Sequence, residues 1–134
     1  MPHLVILYTP NLERELDWDA ACRTLCDAML ALRDENGAPV YPVGGTRVYA
    51  VPAAHFAVSD GHHDAGFVYF NIRMALGRSE ATKRAAGEAV TAAVKQLFAP
   101  VLARRALGLT VQIDEGHEVF DAKVGNLHAL YAKP

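Results

Sequence analysis

The feature that most constrains the fold is a strand–helix–strand pattern that occurs twice. The opening strand begins near Pro2 in the first copy and near Ala65 in the second, and the closing strand begins at Thr46 and at Leu109. Each pair of equivalent positions is 63 residues apart. A strand, helix and strand joined in this way place their two strands in parallel. The pattern therefore predicts two β-α-β units of similar length.

Together the two units predict an α+β fold of two layers, β-α-β-β-α-β, in which one four-stranded sheet carries both helices on one face. Half of the residues (51%) are hydrophobic and 21% are charged, a composition typical of one compact core. We expect a single domain over residues 1–134, with the two units at about 1–60 and 61–134.

Capping residues and helix breakers predict where the helices begin and end. Asp17 and Ser79 are N-cap residues for the first and second helix. Gly37 and Gly108 are the expected stops. Pro100 predicts an interruption of the second helix, because proline has no backbone N–H.

Charge and hydropathy argue against several classes of partner. The 13 basic and 15 acidic residues give a net charge of −2, which does not favour nucleic-acid binding. The longest stretches without a formal charge have twelve residues, whereas a membrane-spanning helix needs roughly 18. No basic and apolar leader follows Met1, so we expect a cytoplasmic protein.

Two cysteines, Cys22 and Cys26, lie four residues apart and would share one face of the first helix. This spacing suits neither a disulfide framework nor a CxxC redox pair. We expect two small buried side chains in a reducing compartment.

Pro2 follows the initiator Met1, which is normally removed before a small second residue. Removal would leave a secondary amine at the terminus. A free α-amino group has a pKa of about 7.7–8.0, and an apolar pocket or a nearby arginine lowers it toward the range of a general base. Because Met-Pro is also a common chain start, Pro2 needs support from the rest of the sequence.

The first strands of the two units are too apolar for a sheet with one face in water. Leu4–Leu7 and Phe67–Ile72 carry few polar residues, and both helices are expected on the other face. Burial by other subunits would resolve this exposure, so we expect an oligomer.

An ordered set of short motifs resembles the 5-carboxymethyl-2-hydroxymuconate isomerase family of the tautomerase superfamily. The motifs span nearly the whole chain: Pro2–Val5, Tyr41–Arg47, Asp60–Asp64, Gly77–Ser79 and Asn126–Leu130. The resemblance implies the β-α-β-β-α-β subunit, a homotrimer with its sheets packed inward, and an amino-terminal proline that transfers the proton. It implies no metal and no organic cofactor.

Carried onto this sequence, the resemblance assigns Pro2 as the base, and Arg47 and Arg78 as groups that bind the substrate carboxylates and stabilise charge. The family pattern resembles Gly-x-Arg-x-Arg, whereas here Tyr49 stands in the place of the second arginine. Taken without the resemblance, Arg47 could form an ion pair at a subunit edge, and Arg78 could be a solvated loop charge.

The function expected from these residues is that of a cofactor-independent isomerase. It would move a proton on an unsaturated 2-hydroxy or 2-oxo diacid derived from aromatic-compound breakdown. One alternative is another chemistry of the superfamily, such as decarboxylation or hydration of a small oxo acid, in which protonated proline is the acid. The other is a trimeric binding module without activity.

Several histidines and tyrosines have simpler expected roles. His62 and His63 precede Asp64 in a loop, but adjacent ligands on a loop make a poor zinc site, and loop hydrogen bonding is the expected role of the three. His128 is expected in a core or an interface. Tyr8 and Tyr49 are expected to pack, although either could orient a substrate.

Overall fold

The computed structural model describes residues 2–132. Its four strands are β1 (His3–Tyr8), β2 (Arg47–Pro52), β3 (Gly66–Ala75) and β4 (Leu107–Gly116), and its helices are α1 (Trp18–Leu30), α2 (Glu80–Leu102) and the short α3 (Leu127–Tyr131). Single 3₁₀ turns cover Pro10–Leu12 and Val43–Gly45.

The sheet has the strand order β2-β1-β3-β4. β1 runs parallel to β2 and antiparallel to β3, and β3 runs parallel to β4. The expected four-stranded sheet with helices on one face is confirmed. The division of the domain into two repeated units near residue 60 stays a prediction.

The core lies between one face of the sheet and the helices α1 and α2. Alternate residues of β1 and β3 point into it, because successive side chains of a strand face opposite sides. Phe98 of α2 is central: its ring lies edge-on to Phe70 of β3 at 5.8 Å between centroids, and 5.9 Å from the ring of Trp18. All three side chains are buried.

Both predicted helix starts are confirmed. The Asp17 carboxylate accepts a hydrogen bond from the backbone N–H of Ala20 at 3.1 Å. The Ser79 hydroxyl accepts one from the N–H of Thr82 at 3.1 Å. Each side chain therefore satisfies an N–H that the first helical turn leaves without a partner.

The predicted helix stops are wrong at both glycines. α1 ends at Leu30, and Gly37, with φ of +78°, lies instead in a tight turn a few residues later. Gly108 lies within β4 opposite Phe67 of β3. A Cβ on Gly108 would come within 2.4 Å of the Phe67 ring, so the ring packs directly over this glycine, which takes no part in a left-handed turn.

The predicted interruption at Pro100 is also wrong, because α2 runs without a break from Glu80 to Leu102. Pro100 is exposed and lies in the last turn of the helix. Only one backbone hydrogen bond is lost there, and water can reach the carbonyl group that would have accepted it.

The two cysteines are free thiols on α1, as expected; Cys26 is buried and Cys22 half-buried. Burial raises the pKa of the Cys22 thiol. Within residues 2–132, no helix combines the length and the hydropathy needed to cross a membrane.

Replacing Phe98 with Ala should lower the free energy of unfolding by about 3–5 kcal/mol, because the change leaves a cavity between two aromatic rings. Urea unfolding followed by circular dichroism at fixed protein concentration measures the loss. Leu102→Ala, on the same helix but 47% exposed, should change the same quantity by less than about 1 kcal/mol. Equal losses in the two variants would contradict the packing described here.

Candidate active site at the start of the central strand

Pro2 is buried and directly precedes β1. Because β1 is paired on both sides, the residue before it lies at the end of the sheet between the starts of β2 and the last residues of β3. Arg47 is the first residue of β2 and pairs in register with His3. Its Nη1 donates to the carbonyl oxygen of Gly45 at 3.0 Å and lies 3.5 Å from that of Pro2. The structure thus brings Pro2 and Arg47 together.

A row of basic side chains crosses this end of the sheet on the face away from the helices. His3 lies opposite Arg47 on one side and opposite Arg73 on the other. The His3 Nδ1 atom is 3.4 Å from Nη2 of Arg47. Within residues 2–132, neither arginine has a carboxylate at ion-pair distance. Sequence analysis did not place Arg73 beside His3. The alternation of side chains along β3 could have shown that it lies on this face.

A cavity of about 430 Å³ opens beside Arg47, within the roughly 300–1,000 Å³ typical of small-molecule sites. The first strands contribute His3 and Arg47 to its lining. The rest of the wall comes from Gly44 and from the C-terminal segment, defined here as residues 117–132, which contributes a mixture of charged and small residues: Glu118, Asp121, Ala122, Lys123, Val124, Gly125, Leu127 and His128.

The C-terminal segment reaches the cavity because α3 packs against the 3₁₀ turn Val43–Gly45. A Cβ on Gly44 would lie 2.9 Å from both the Cα and the backbone N of His128. Only glycine permits this close approach of two backbones. Sequence analysis missed this wall, since nothing in the local pattern of residues 117–125 indicates what they contact.

Arg78 lies in a different environment from Arg47. Its guanidinium donates to the carbonyl oxygens of Ala75 at 3.2 Å and Val40 at 3.0 Å, and it lies over the Tyr41 ring at 5.1 Å from the centroid. It lines a separate cavity of about 320 Å³. Arg78 is therefore a half-buried group that joins β3 to the loop after α1, and not a solvated loop charge.

Two buried side chains connect the surroundings of Arg78 to the start of β1. The hydroxyl of Tyr41 donates to the sulfur of Met74 at 3.9 Å. Extending the β1–β3 register by one residue from the pair His3 and Arg73 places Met74 across from position 2. Burial raises the pKa of Tyr41 to about 12, so this phenol stays neutral. Arg78 is thus at the same end of the sheet as Pro2, but it does not share the Arg47 cavity.

The cavity beside Arg78 already contains a carboxylate at the start of α2. Glu35 accepts hydrogen bonds from the hydroxyls of Ser79 and Thr82, and the Ser79 contact is the main reason that the pKa of Glu35 is lowered. The first turn of a helix favours negative charge. An anionic substrate would be repelled from this side of Arg78.

A larger cavity of about 710 Å³ lies at the opposite end of β1, where Tyr8 stacks on Trp18 with 3.8 Å between the ring centroids. Its charged lining consists of carboxylates: Glu13, Asp17 and Asp19. No Lys, Arg or His is among the described residues that line it. This surface does not suit an anionic ligand, so the Arg47 cavity is the better candidate despite its smaller volume.

The loop after β2 has the structural role expected of it. Asp60 accepts from the backbone N–H of His62 at 3.0 Å, and Gly61 has φ of +81°. Asp64 accepts from Asn11 at 3.1 Å and contacts Arg105 at 3.3 Å. Over residues 2–132, no group of three or more His, Cys, Asp or Glu is arranged to hold a metal ion.

His128 is exposed on α3 and faces the Arg47 cavity, so the expectation of a core position is wrong. The alternative of a position in a subunit interface stays a prediction.

The two tyrosines differ from each other. Tyr8 packs as expected, and its hydroxyl donates to Glu13 at 2.9 Å. Burial, followed by this contact, raises the pKa of Tyr8 to about 12. Tyr49 is 52% exposed and makes no comparable contact within the described subunit.

A buried second residue, an adjacent arginine and a cavity of small-molecule size lie at one end of this two-layer sheet, an arrangement that suits a small enzyme. The family model for 5-carboxymethyl-2-hydroxymuconate isomerase matches residues 2–131. The chain belongs to this family of isomerases, as the motifs in the sequence indicated.

Individual relatives agree with this assignment. A 5-carboxymethyl-2-hydroxymuconate Delta-isomerase of Escherichia coli is 27% identical over 98% of this chain and 99% of its own length. A crystal structure of a 5-carboxymethyl-2-hydroxymuconate delta-isomerase has 55% identity and a TM-score of 0.96, covering 100% of this chain and 95% of the other. A 5-carboxymethyl-2-hydroxymuconate isomerase from Deinococcus radiodurans R1 has 33% identity and a TM-score of 0.85, covering 98% and 95%.

Proposed function

We propose that this chain isomerises 5-carboxymethyl-2-hydroxymuconate, which has three carboxylates, or a similar unsaturated 2-hydroxy or 2-oxo diacid, with the amino-terminal Pro2 as general base. The main support is the position of buried Pro2 beside Arg47, because Arg47 lines a cavity large enough for such a substrate. The names of the relatives support the substrate class. The reaction belongs to the breakdown of aromatic compounds in the cytoplasm.

The proposed reaction is a proton transfer between two carbon atoms of one molecule. In the 2-oxo form of the substrate, the neutral nitrogen of Pro2 takes a proton from the carbon next to the oxo group, so that a C–H bond breaks and an N–H bond forms. The electron pair moves into a dienolate, and the double bond shifts. The ammonium then returns the proton to a carbon two atoms away. Nothing is oxidised or reduced, so no cofactor is required.

Arg47 serves this reaction in two ways. Its guanidinium can bind a substrate carboxylate through two charge-assisted hydrogen bonds. Because the same guanidinium lies by the Pro2 carbonyl oxygen, the bound carboxylate would hold the substrate close to the nitrogen of that residue. A cation this near also disfavours the ammonium form of Pro2 and lowers the pKa of its amine.

Arg78 is proposed as a second substrate-binding and charge-stabilising group. Its guanidinium is held by two carbonyl oxygens in a separate cavity. Its position at the same end of the sheet as Pro2 supports this role.

We also propose that the subunit assembles as a homotrimer with its sheets packed inward. The face of the sheet away from the helices, called here the open face, carries apolar side chains that water would otherwise contact: Leu7, Tyr49, Val51 and Phe67 are each at least 40% exposed. Several residues of the C-terminal segment, such as Phe120 and Val124, are still more exposed. Contiguous apolar surface of this kind is typical of subunit interfaces.

Pro2→Ala should reduce kcat/KM for 5-carboxymethyl-2-hydroxymuconate by about 100-fold or more, because a positioned general base contributes roughly 10²–10⁴ in rate. In the wild type, kcat/KM should rise with pH through the pKa of the terminal amine and then level off, since only the neutral amine accepts a proton. Ultraviolet absorbance follows the reaction, and intact mass verifies that Met1 has been removed.

Pro52→Ala is the matched control, because Pro52 is exposed at the far end of β2. It should leave the kinetics unchanged. Activity that survives Pro2→Ala would exclude Pro2 as the base. A rate that instead falls as pH rises would favour the alternative in which protonated proline is an acid. No turnover of any oxo or hydroxy acid would favour a binding module.

Arg47→Gln should raise KM for the diacid and reduce kcat/KM by about 100-fold, in the range seen when one charge-stabilising group is removed. Arg78→Gln should reduce kcat/KM if its guanidinium acts on the substrate. Steady-state kinetics and the thermal midpoint are measured together. Arg84→Gln, an exposed position on α2 paired with Glu88, is the control for loss of charge.

The two measurements separate binding from structure for each arginine. If Arg78→Gln lowers the thermal midpoint but leaves kcat/KM unchanged, its role is limited to holding the carbonyl groups of Val40 and Ala75. An unchanged KM in Arg47→Gln would remove Arg47 from the substrate site.

Light scattering coupled to size exclusion should give three times the subunit mass of 14.5 kDa. Leu7→Lys, on the open face of the central strand, should shift the particle toward the single subunit because it places a charge in the interface. Leu102→Lys, an equally exposed position on α2, should leave the mass unchanged. A wild-type mass of one subunit at all concentrations would contradict the trimer.

A further inference from the structure

The Arg47 cavity contains a second permanent cation that the strands do not supply. Lys123 lines the same cavity as Arg47 but belongs to the C-terminal segment. The two residues are far apart in the sequence. They line the same cavity because α3 packs on the turn at Gly44. The proposed substrates have at least two carboxylates to be bound, three in 5-carboxymethyl-2-hydroxymuconate, and Arg47 can bind one of them.

The strand position that could have carried a second cation holds Tyr49, which points to the same face of β2 as Arg47. Tyr49 lines the acidic cavity around Tyr8 and Trp18 and is not among the described residues of the Arg47 cavity. A phenol cannot replace a cation in binding a carboxylate by charge. Within the described cavity lining, Lys123 is the candidate for this position.

Lys123 is paired with a carboxylate of its own segment. Its ammonium contacts Asp121, and this hydrogen bond is the largest cause of the lowered pKa of Asp121. Both side chains are about half exposed, at 47% and 46%. An exposed pair of this kind contributes little to stability, typically below about 1 kcal/mol. It can therefore open at small cost when another carboxylate enters.

We propose that Lys123 is a specificity-determining residue that binds the second carboxylate of a diacid substrate, replacing its contact with Asp121. This inference rests on the proposed function, because it concerns the same cavity and the same substrate class. Lys123 acts on the substrate from the C-terminal segment, while Arg47 acts from the sheet. The distance between these two substrate carboxylates is then selected by how α3 packs on the turn Val43–Gly45.

The decisive measurement compares ligands that differ by one carboxylate. Calorimetry with hexanedioate and with hexanoate, two saturated six-carbon acids, gives the affinity of each without any chemical step. Lys123→Gln should weaken hexanedioate binding by about tenfold, the effect of losing one hydrogen bond between charged groups. Hexanoate binding should be unchanged, because Arg47 remains.

Asp121→Asn should change hexanedioate affinity in the direction opposite to Lys123→Gln. The change removes the carboxylate that competes for Lys123 and keeps a side chain of the same size. Hexanedioate binding should therefore tighten, while hexanoate binding changes little. Lys123→Arg keeps the charge and should retain most of the preference for the diacid. Lys95→Gln, an exposed lysine on α2, is the control for loss of one positive charge.

Gly44→Ala tests the same inference without altering any charge. A Cβ at this position would push the backbone of His128 away, and α3 would carry Lys123 with it. The preference for hexanedioate over hexanoate should fall as it does in Lys123→Gln. Limited proteolysis should show faster cleavage within residues 117–131.

Three results would overturn the inference: an unchanged ratio of affinities in Lys123→Gln, an equal loss for hexanedioate and hexanoate, or weaker hexanedioate binding in Asp121→Asn. Failure of the proposed function is recognised separately. In that case the wild type turns over none of the unsaturated diacids, or Pro2→Ala leaves turnover intact. The binding ratios are measured in either case and decide the role of Lys123 independently.

Discussion

The hydrogen-bonded ladders on both sides of β1 are the constraint on which the rest of the structure depends. β1 is only six residues long, yet it pairs over its full length with β2 and with β3. A strand paired on both edges has little freedom at its ends. The residue before it is therefore held in one place, and Pro2 is positioned by backbone bonding more than by its own side chain. A terminal residue is otherwise poorly ordered in most domains.

Because side chains alternate along these strands, one face of the sheet contributes to the core and the other face is left to carry other groups. One face of the sheet buries the core against α1 and α2, and the open face keeps a mixture of polar and apolar groups. On the open face, Asn71 donates to the Tyr69 hydroxyl at 3.1 Å and to Asp114 at 2.8 Å, and Tyr69 donates to Gln112 at 2.8 Å. These bonds satisfy polar groups within the subunit, so that the face can be covered at a lower cost of desolvation.

Local chemistry in the sequence was enough to predict the fold. Asp17 and Ser79 could be recognised as helix caps because a capping oxygen bonds to an N–H only two or three residues away. The strands could be recognised because their side chains alternate between two faces. The errors at Gly108 and Pro100 have a different origin. Gly108 is covered by the ring of Phe67 from another strand, and Pro100 is tolerated because it lies in the final turn of α2. Neither cause is visible in neighbouring residues.

The candidate site likewise contains some residues that the sequence indicated and others that only the structure reveals. The sequence indicated Pro2 and Arg47 as candidates because each belongs to a short motif, and Arg47 does lie beside Pro2. The sequence did not single out Lys123, because the hydrophobic residues of segment 117–125 follow no regular spacing. Nothing in the residues around Gly44 indicates that a helix packs on it. Arg78 was found by its motif, but the carbonyl groups that hold it belong to distant residues, so its environment could not be predicted.

The carboxylates in the wall of the Arg47 cavity offset the charge of its cations. Arg47 and Lys123 would repel each other in a partly dehydrated cavity, and like charges at close range are costly. Glu118 and Asp121 in the same wall balance them, so the lining has two formal charges of each sign before histidine is counted. A dianionic ligand disturbs this balance. Its affinity then depends on the strength of its bonds to the cations relative to those of the carboxylates already present, and not on the positive charge of the cavity alone.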